Sequence, residues 1–537
     1  MRFLLFLQEK VRQLLLRFRK SDRNNMENDF FELSKNVANK FIQSVVFIDD
    51  KAYELGVREN AFDAQVVSNE FATTGKVCAI YAPKKESDIN NYYPILDKAD
   101  VIILDWRLDL EKDVKTDLNP EDDAEVDDAR GEYTIKIIKD QLKNSGNQKL
   151  KLIIIYTGDT ISAIKDVIEE QFADYSFDKE TYSMQINNLR LFLRGKGEDG
   201  EKPYDHNPEL KQFLVRYDEL PKMITSAFAT MTSGLVSNFA LEAITIIRNN
   251  TSRILGAFSP SLDPAYLGHK VMIPNAIESK NLLIQILGDA ITELMESCNI
   301  TTSDWVNKWI DSNIVASKFE HDGFSINITP DMLKNLIASD KHQLLEKLNS
   351  VGWNISEKKL RKIQQHIPEL FICNEYDIDK ANDQFAILTH HKNIFKPLSE
   401  SPILTLGTVI CSKSEQYYIC IQQRCDSQRI KDERRFLFLP LSQSGEYPII
   451  VENGNKLFPD KKSYELKTIK FKPAENDGPV RAYKEENGSF VFISSHNEKY
   501  RWIVDIKSMH AQRIVNNYCA QLSRVGLNES EWLRLYK

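Results

Sequence analysis

The apolar positions in the first half of the chain fall in short unbroken blocks. Five of them, 45–49, 77–81 ("VCAIY"), 101–105 ("VIILD"), 152–156 ("LIIIY") and 189–193 ("LRLFL"), are dominated by β-branched and other large apolar residues. Segments with a helical period separate them, such as "FFELSKNVANKFIQ" ahead of the first block and "GEYTIKIIKDQLK" ahead of the fourth. A strand that is apolar at every position is buried on both faces. That predicts a parallel sheet with helices on either side. Five such strands suit a doubly wound α/β domain over 40–232.

The pattern then changes twice. From 233 to 380 stretches such as "AIESKNLLIQILGDAITELMESC" carry the 3.6-residue period of helices. Within them "WVNKWIDSNIVASKFEHDGFSINITPDMLKNLI" reads as helices around a small β element, which admits a winged helix. From 381 to 506 short runs such as "QYYICIQ", "RRFLFLPL" and "YRWIVDI" are punctuated by Gly, Asn and Ser, as in an antiparallel barrel or sandwich. A helical tail, 507–537, follows. A length of 537 residues agrees with two to four domains.

Two segments stand apart. Residues 109–132 hold eleven acids against three bases and read as a solvated insertion in the α/β domain. Residues 1–39 open with "MRFLLFLQEKVRQLLLRFRK", apolar on one helical face and basic on the other. A packing helix, a membrane-surface helix, and translation from Met26 rather than Met1 all remain open. No run approaches the roughly 18 apolar residues of a membrane span.

The net charge of -8 argues against wholesale binding of nucleic acid. The seven cysteines form no CxxC pair, which is expected of reduced thiols in the cytoplasm. His390, His391, Cys411, Cys420 and Cys425 match no standard zinc spacing. Gln423, Arg424, Asp426 and Arg429 crowd one strand end, where pairing across a turn accounts for them.

The chemistry gathers at strand tips. The first strand ends in Asp49 and Asp50, the third in Asp105 and the fourth in Thr157, and "RGKG" after the fifth offers Lys196. In a doubly wound sheet these tips share one edge, where ligands bind. Two carboxylates about 5 Å apart repel by about 3 kcal/mol at an effective dielectric of about 20. Three together must take up protons or hold a cation, and Mg²⁺ suits an all-oxygen site. Asp105 then has the setting to attack a phosphoryl group, with Thr157 and Lys196 holding its oxygens.

These residues resemble the receiver domains of bacterial response regulators: an acidic pair (Asp49, Asp50), a phospho-accepting Asp (Asp105), then Thr157 and Lys196. Gly131 resembles the Gly usually found past the acceptor. The spacing is longer than in an ordinary receiver, Trp106 follows the acceptor where smaller residues are common, and "RGKG" lacks the usual Lys-Pro. Trp106 either packs or gates the pocket. The resemblance implies a flavodoxin-like five-stranded parallel sheet, Mg²⁺ held by Asp49, Asp50 and Asp105, and a phosphorylated signalling protein. "MTSGLVSNFALEAITIIRNN", "LDPAYLGHK", "YYICIQQRCDS" and "AQLSRVGLNESEWLR" are similar to landmarks of large receiver-containing bacterial proteins. That likeness implies a histidine-kinase/Hsp90-like ATPase as partner, within an anti-phage type of two-component system. Self-association is open. Two other readings stand beside it: a degenerate receiver that only binds protein, and a Mg²⁺-dependent phosphatase or nuclease, for which the adjacent aspartates and acidic composition are a poor fit.

Overall fold

A computed structural model describes residues 29–54, 62–112, 130–144, 149–197, 208–272, 276–298, 302–372, 377–392, 401–444, 449–450, 455–459, 465–474, 478–522 and 534. The amphipathic segment expected over 1–28, most of the acidic insertion and the last part of the tail lie outside the described residues. The chain divides into two compact units, Met1–Lys318 with Ser325–Ser356, and Phe319–Phe324 with Glu357–Lys537.

The first unit is built on α1 (Asp29–Phe41), β1 (Ser44–Ile48), α2 (Ala64–Thr73), β2 (Val77–Tyr81), α3 (Glu86–Leu96), β3 (Val101–Leu104), α4 (Glu132–Asn144), β4 (Lys151–Thr157), α5 (Ile161–Gln171), β5 (Phe177–Asp178), β6 (Ser183–Ile186), β7 (Leu189–Lys196) and β8 (Leu214–Val215). The strand order is β2-β1-β3-β4-β7-β6-β5, with β8 paired to the end of β7. Strands β2, β1, β3, β4 and β7 are mutually parallel. They are the five blocks of the sequence, in the order of a flavodoxin-like sheet.

The sheet is larger than the five strands expected. A hairpin, β5–β6, adds antiparallel strands beyond β7, and β8 adds a short parallel one. The hairpin strands mix polar with apolar positions and β8 is two residues long, so none gives an apolar block to detect.

Alternate side chains of each strand feed two cores. Val46, Ile48, Ile102, Leu104, Ile153 and Ile155 pack against α3, α4 and α5. Val45, Phe47, Val101, Ile103, Leu152 and Ile154 pack on the other face against α1, α2 and α6 (Leu220–Thr232). Every carboxyl end of the parallel strands therefore opens on one edge, between the two helical layers.

The opposite edge is tied by Asp100, just before β3. Its Oδ2 accepts from Gln43 N (2.9 Å), Ser44 N (3.0 Å) and Ser44 Oγ (3.1 Å). Arg248, on α7 (Leu235–Asn249), donates to both carboxylate oxygens at 3.0 Å. The unit continues through α8 (Thr251–Ala257), α9 (Asp263–Met272) and α10 (Ala276–Ser297). The expected winged-helix region holds helix Thr302–Asn313, a hairpin of Ser317–His321 with Phe324–Ile328, and helix Pro330–Ala338.

The second unit centres on a nine-stranded sheet, antiparallel in its pairings. Phe436, Phe438, Phe471 and Phe492 fill one face. Val409, Ile419, Leu439 and Ile503 line the other, where Tyr518 of helix Ser508–Leu522 joins them. Cys411 and Cys420 are buried in these strands. Asp426 accepts from Gln422 (2.8 Å) and pairs with Arg434 (3.4 Å), partners outside the Gln423, Arg424 and Arg429 set read from the sequence. Among the described residues no helix is long and apolar enough to cross a membrane.

Asp100→Ala removes the acceptor shared by two backbone N–H groups and Arg248. It is expected to cost about 2 kcal/mol in urea unfolding of the full chain, whereas the exposed ion pair Lys149–Asp97, cut by Lys149→Ala, costs well under 1 kcal/mol.

Candidate functional site

Strands β1 and β3 are neighbours in parallel register, Ile48 opposite Leu104, so the residues that follow each leave the sheet side by side. Asp105 N donates to Ile48 O at 2.9 Å, which extends the ladder by one rung and fixes Asp105 beside the twin aspartates. Asp49 and Asp50 are buried. Oxygens of Asp49, Asp50 and Asp105 all lie within 4.8 Å of one another, and among the described residues this is the group that meets the requirements of a metal site. The His390, His391 and cysteine set does not.

Lys196 completes the site from the end of β7. Its Nζ donates to Asp49 Oδ2 and Asp105 Oδ2, at 3.2 Å each. Sequence spacing left this residue the loosest match, but the parallel pairing of β4 with β7 carries it to the shared edge. Thr157 closes β4 opposite Gly195 of β7 and is buried, with its Oγ1 accepting from Asp159 N at 3.1 Å. The register sets it one residue beyond the level of Asp105.

Several contributors gave no signal in the sequence. Trp106 N donates to Asp105 Oδ1 (2.8 Å), Lys51 N to Asp49 Oδ1 (2.9 Å), and Thr134 Oγ1 of α4 to Asp105 O (2.8 Å). Lys84 Nζ donates to Asp50 O at 2.7 Å, and Lys51 Nζ to Asp109 at 2.6 Å. The ring of Phe62 lies beneath Lys196, its centroid 5.5 Å from the ammonium. A lysine or a threonine on a helix looks like any other until the fold brings it to this edge.

Trp106 packs. It is buried against α4 and the apolar cluster of that face, so it does not gate an opening. Gly131 is the matching half: its φ is +64, and a Cβ there falls 2.6 Å from the Trp106 ring. The glycine named as a family landmark is needed here because the indole occupies the space of a side chain.

The electrostatics of the cluster are unbalanced. Burial, with Asp49, Asp105 and Asp109 adding repulsion against the help of Lys51, pushes Asp50 up to about 7. Burial also raises Asp105, opposed by Lys196 and reinforced by Asp49. Burial works against the charge on Lys196, but Asp105 and Asp49 more than offset it and hold the ammonium above its usual range. Lys196 thus answers two of the three carboxylates, Lys51 Nζ stands 4.0 Å from Asp50 Oδ2, and Asp50 Oδ1 is buried with no hydrogen-bond donor. A hard divalent cation fits this donor set: it would be held by Asp49, Asp50 and Asp105 and would supply the missing positive charge.

Residues 41–201 match the family model of the response receiver domain. Over that stretch the chain is similar to a receiver domain. No curated protein and no solved structure matches the chain. The receiver match spans β1 through β7 and includes all five residues that converge on the edge.

Asp50 provides a test of the charge balance. Its folded-state carboxyl lies above the unfolded value, so the folded protein binds that proton more tightly. Without a divalent cation, stability falls as pH rises from about 4 to about 7 and the full penalty is present above that. Asp50→Asn removes the penalty. In EDTA at pH 8 the variant is expected to melt several degrees above the parent, the gap closing toward pH 4. The parent, but not the variant, is expected to be stabilised by Mg²⁺. Thermal melts across pH, with and without Mg²⁺, check both, and a variant no more stable than the parent at pH 8 contradicts this account.

Proposed function

We propose that the protein is a signalling protein that accepts a phosphoryl group on Asp105 and relays the change to a partner. The observation that carries this reading is the trio of carboxylates, Asp49 and Asp50 buried and Asp105 partly exposed, with Lys196 bridging Asp49 and Asp105. Asp105 Oδ2 is the nucleophile. It forms the new P–O bond as the donor's bond to phosphorus breaks, giving an acyl phosphate. Lys196, released from one carboxylate oxygen, turns to the phosphoryl oxygens, and the hydroxyl of Thr157 donates to another. When bound, Mg²⁺ neutralises charge that builds on the transferring group.

The receiver match supports phosphoryl acceptance as a class of activity. The donor on this reading is an ATP-binding protein of the histidine-kinase/Hsp90-like type, and the setting a bacterial defence system, both drawn from the likeness of the chain's landmarks to receiver-containing proteins. Burial holds the carboxyl groups of Asp50 and Asp105 above their usual range, so binding of a divalent cation is expected to release protons.

Incubation with Mg²⁺ and a small acyl-phosphate donor, followed by intact mass, is expected to add one phosphoryl group per chain. Asp105→Asn abolishes it, and Lys196→Ala leaves at most a small fraction. Beryllofluoride with Mg²⁺ raises the melting temperature of the parent and not of Asp105→Asn. No mass shift and no beryllofluoride effect in a folded parent overturns the proposal.

A further inference from the structure

Two lysines stand next to Asp50, and neither closes on its carboxylate. Lys84 Nζ donates to the backbone oxygen of Asp50 (2.7 Å) and lies 3.6 Å from Glu54. Lys51 Nζ is 4.0 Å from Asp50 Oδ2 but 2.6 Å from Asp109 Oδ2. Asp109 is what draws Lys51 aside.

The fold holds Asp109 in that place. The sequence puts it at the start of a solvated acidic insertion, yet its neighbours Leu108 and Leu110 are fully buried. Glu111 N donates to Lys84 O (2.9 Å) and Glu86 N to Glu111 O (3.2 Å), which fastens the segment after β3 to the loop ahead of α3. Asp109 N reaches Asp50 Oδ2 at 3.4 Å, and Lys51 N reaches Asp49 Oδ1 at 2.9 Å. Both members of the pair are thus tied to the twin aspartates through their backbones. Asp109 Oδ1 is buried with no donor.

An ion pair at a protein surface ordinarily contributes little to stability. This one matters for where its cation goes without it. A lysine is a point charge on a flexible four-carbon stem. A shift of about 1 Å brings Lys51 Nζ to ordinary ion-pair distance from Asp50 Oδ2. There it answers the charge that a divalent cation would otherwise meet.

We propose that Asp109 is a positioning residue for the cation site: by holding Lys51 it keeps that ammonium off Asp50, a role that rests on the reading of Asp49, Asp50 and Asp105 as the holders of Mg²⁺. Asp109 acts through Lys51 and not as a ligand, and it is not among the three residues whose oxygens lie within 4.8 Å of one another.

Isothermal titration of the metal-free full chain with Mg²⁺ tests this through a double-mutant cycle. Asp109→Asn is expected to weaken Mg²⁺ binding about tenfold, as the loss of a group that orients a metal site commonly does. Lys51→Met is expected to bind Mg²⁺ more tightly than the parent. With Lys51→Met already in place, Asp109→Asn is expected to change the affinity by less than about twofold. Asp109→Glu keeps the pair and the parent's affinity. Thermal melts in EDTA establish that each variant is folded. If Asp109→Asn is not, Lys51→Met decides, and weaker binding than the parent overturns the proposal. A loss on Asp109→Asn that persists beside Lys51→Met makes Asp109 a ligand, direct or through water, and also overturns it. A parent that binds Mg²⁺ with all the variants unchanged overturns this inference alone. A parent that binds no Mg²⁺ overturns it together with the reading of the three carboxylates.

Discussion

The interaction on which the site depends is a shortage of positive charge in a buried place. Three carboxylates emerge from adjacent parallel strands, and one ammonium, Lys196, reaches two of them. The sheet imposes this: residues that follow β1 and β3 have nowhere to go but the common edge. Desolvation makes each unpaired charge costly, and the cluster meets that cost partly by retaining protons and partly through Lys196. What is left over is Asp50 with an unpartnered oxygen, the place where a hard cation would supply the missing positive charge. Affinity for such a cation and instability without it would be one property seen from two sides.

The opposite edge of the sheet shows how a charge is managed when nothing is to be bound. Asp100 is as well placed to be a liability, yet backbone N–H groups, a serine hydroxyl and the two-pronged Arg248 meet both of its oxygens. Complete pairing makes a joint, here between β1, β3 and α7. Incomplete pairing makes a binding site. The contrast within one domain is the physical ground for treating Asp49, Asp50 and Asp105 as functional and Asp100 as structural.

Much of the first unit was legible because its strands are apolar on both faces, and such blocks are hard to mistake when helical segments separate them. Asp49, Asp50, Asp105 and Thr157 were legible for the same reason, since each is the polar residue that stops a block. Lys196 was less so, because β7 is preceded by a hairpin whose short mixed strands, Phe177–Asp178 and Ser183–Ile186, carry no block of their own. Phe62, Lys84 and Thr134 were not legible. Their roles come from which loop or helix passes over the edge, and that is decided by packing across the sheet rather than by local pattern. Trp106 could be read either way until Gly131 was seen to vacate the space its indole fills.

Lys196 also joins the pocket to the rest of its unit. It rests on Phe62, which packs on Phe47 (4.5 Å between centroids) and meets Tyr217 edge-on (5.8 Å), while Tyr156 meets both Phe47 (6.1 Å) and Tyr217 (6.2 Å). Tyr156 donates its hydroxyl proton to Val215 O at 2.8 Å, so this aromatic group is pinned to β8 and to the 3-10 turn that leads into α6. Any charge added at Asp105 acts first on Lys196, the one cation that pairs with it among the described residues. Because that cation lies on the aromatic group and not in open water, its movement has to be accommodated by closely packed rings, and those rings stand at the start of the helices that carry the chain away from the receiver.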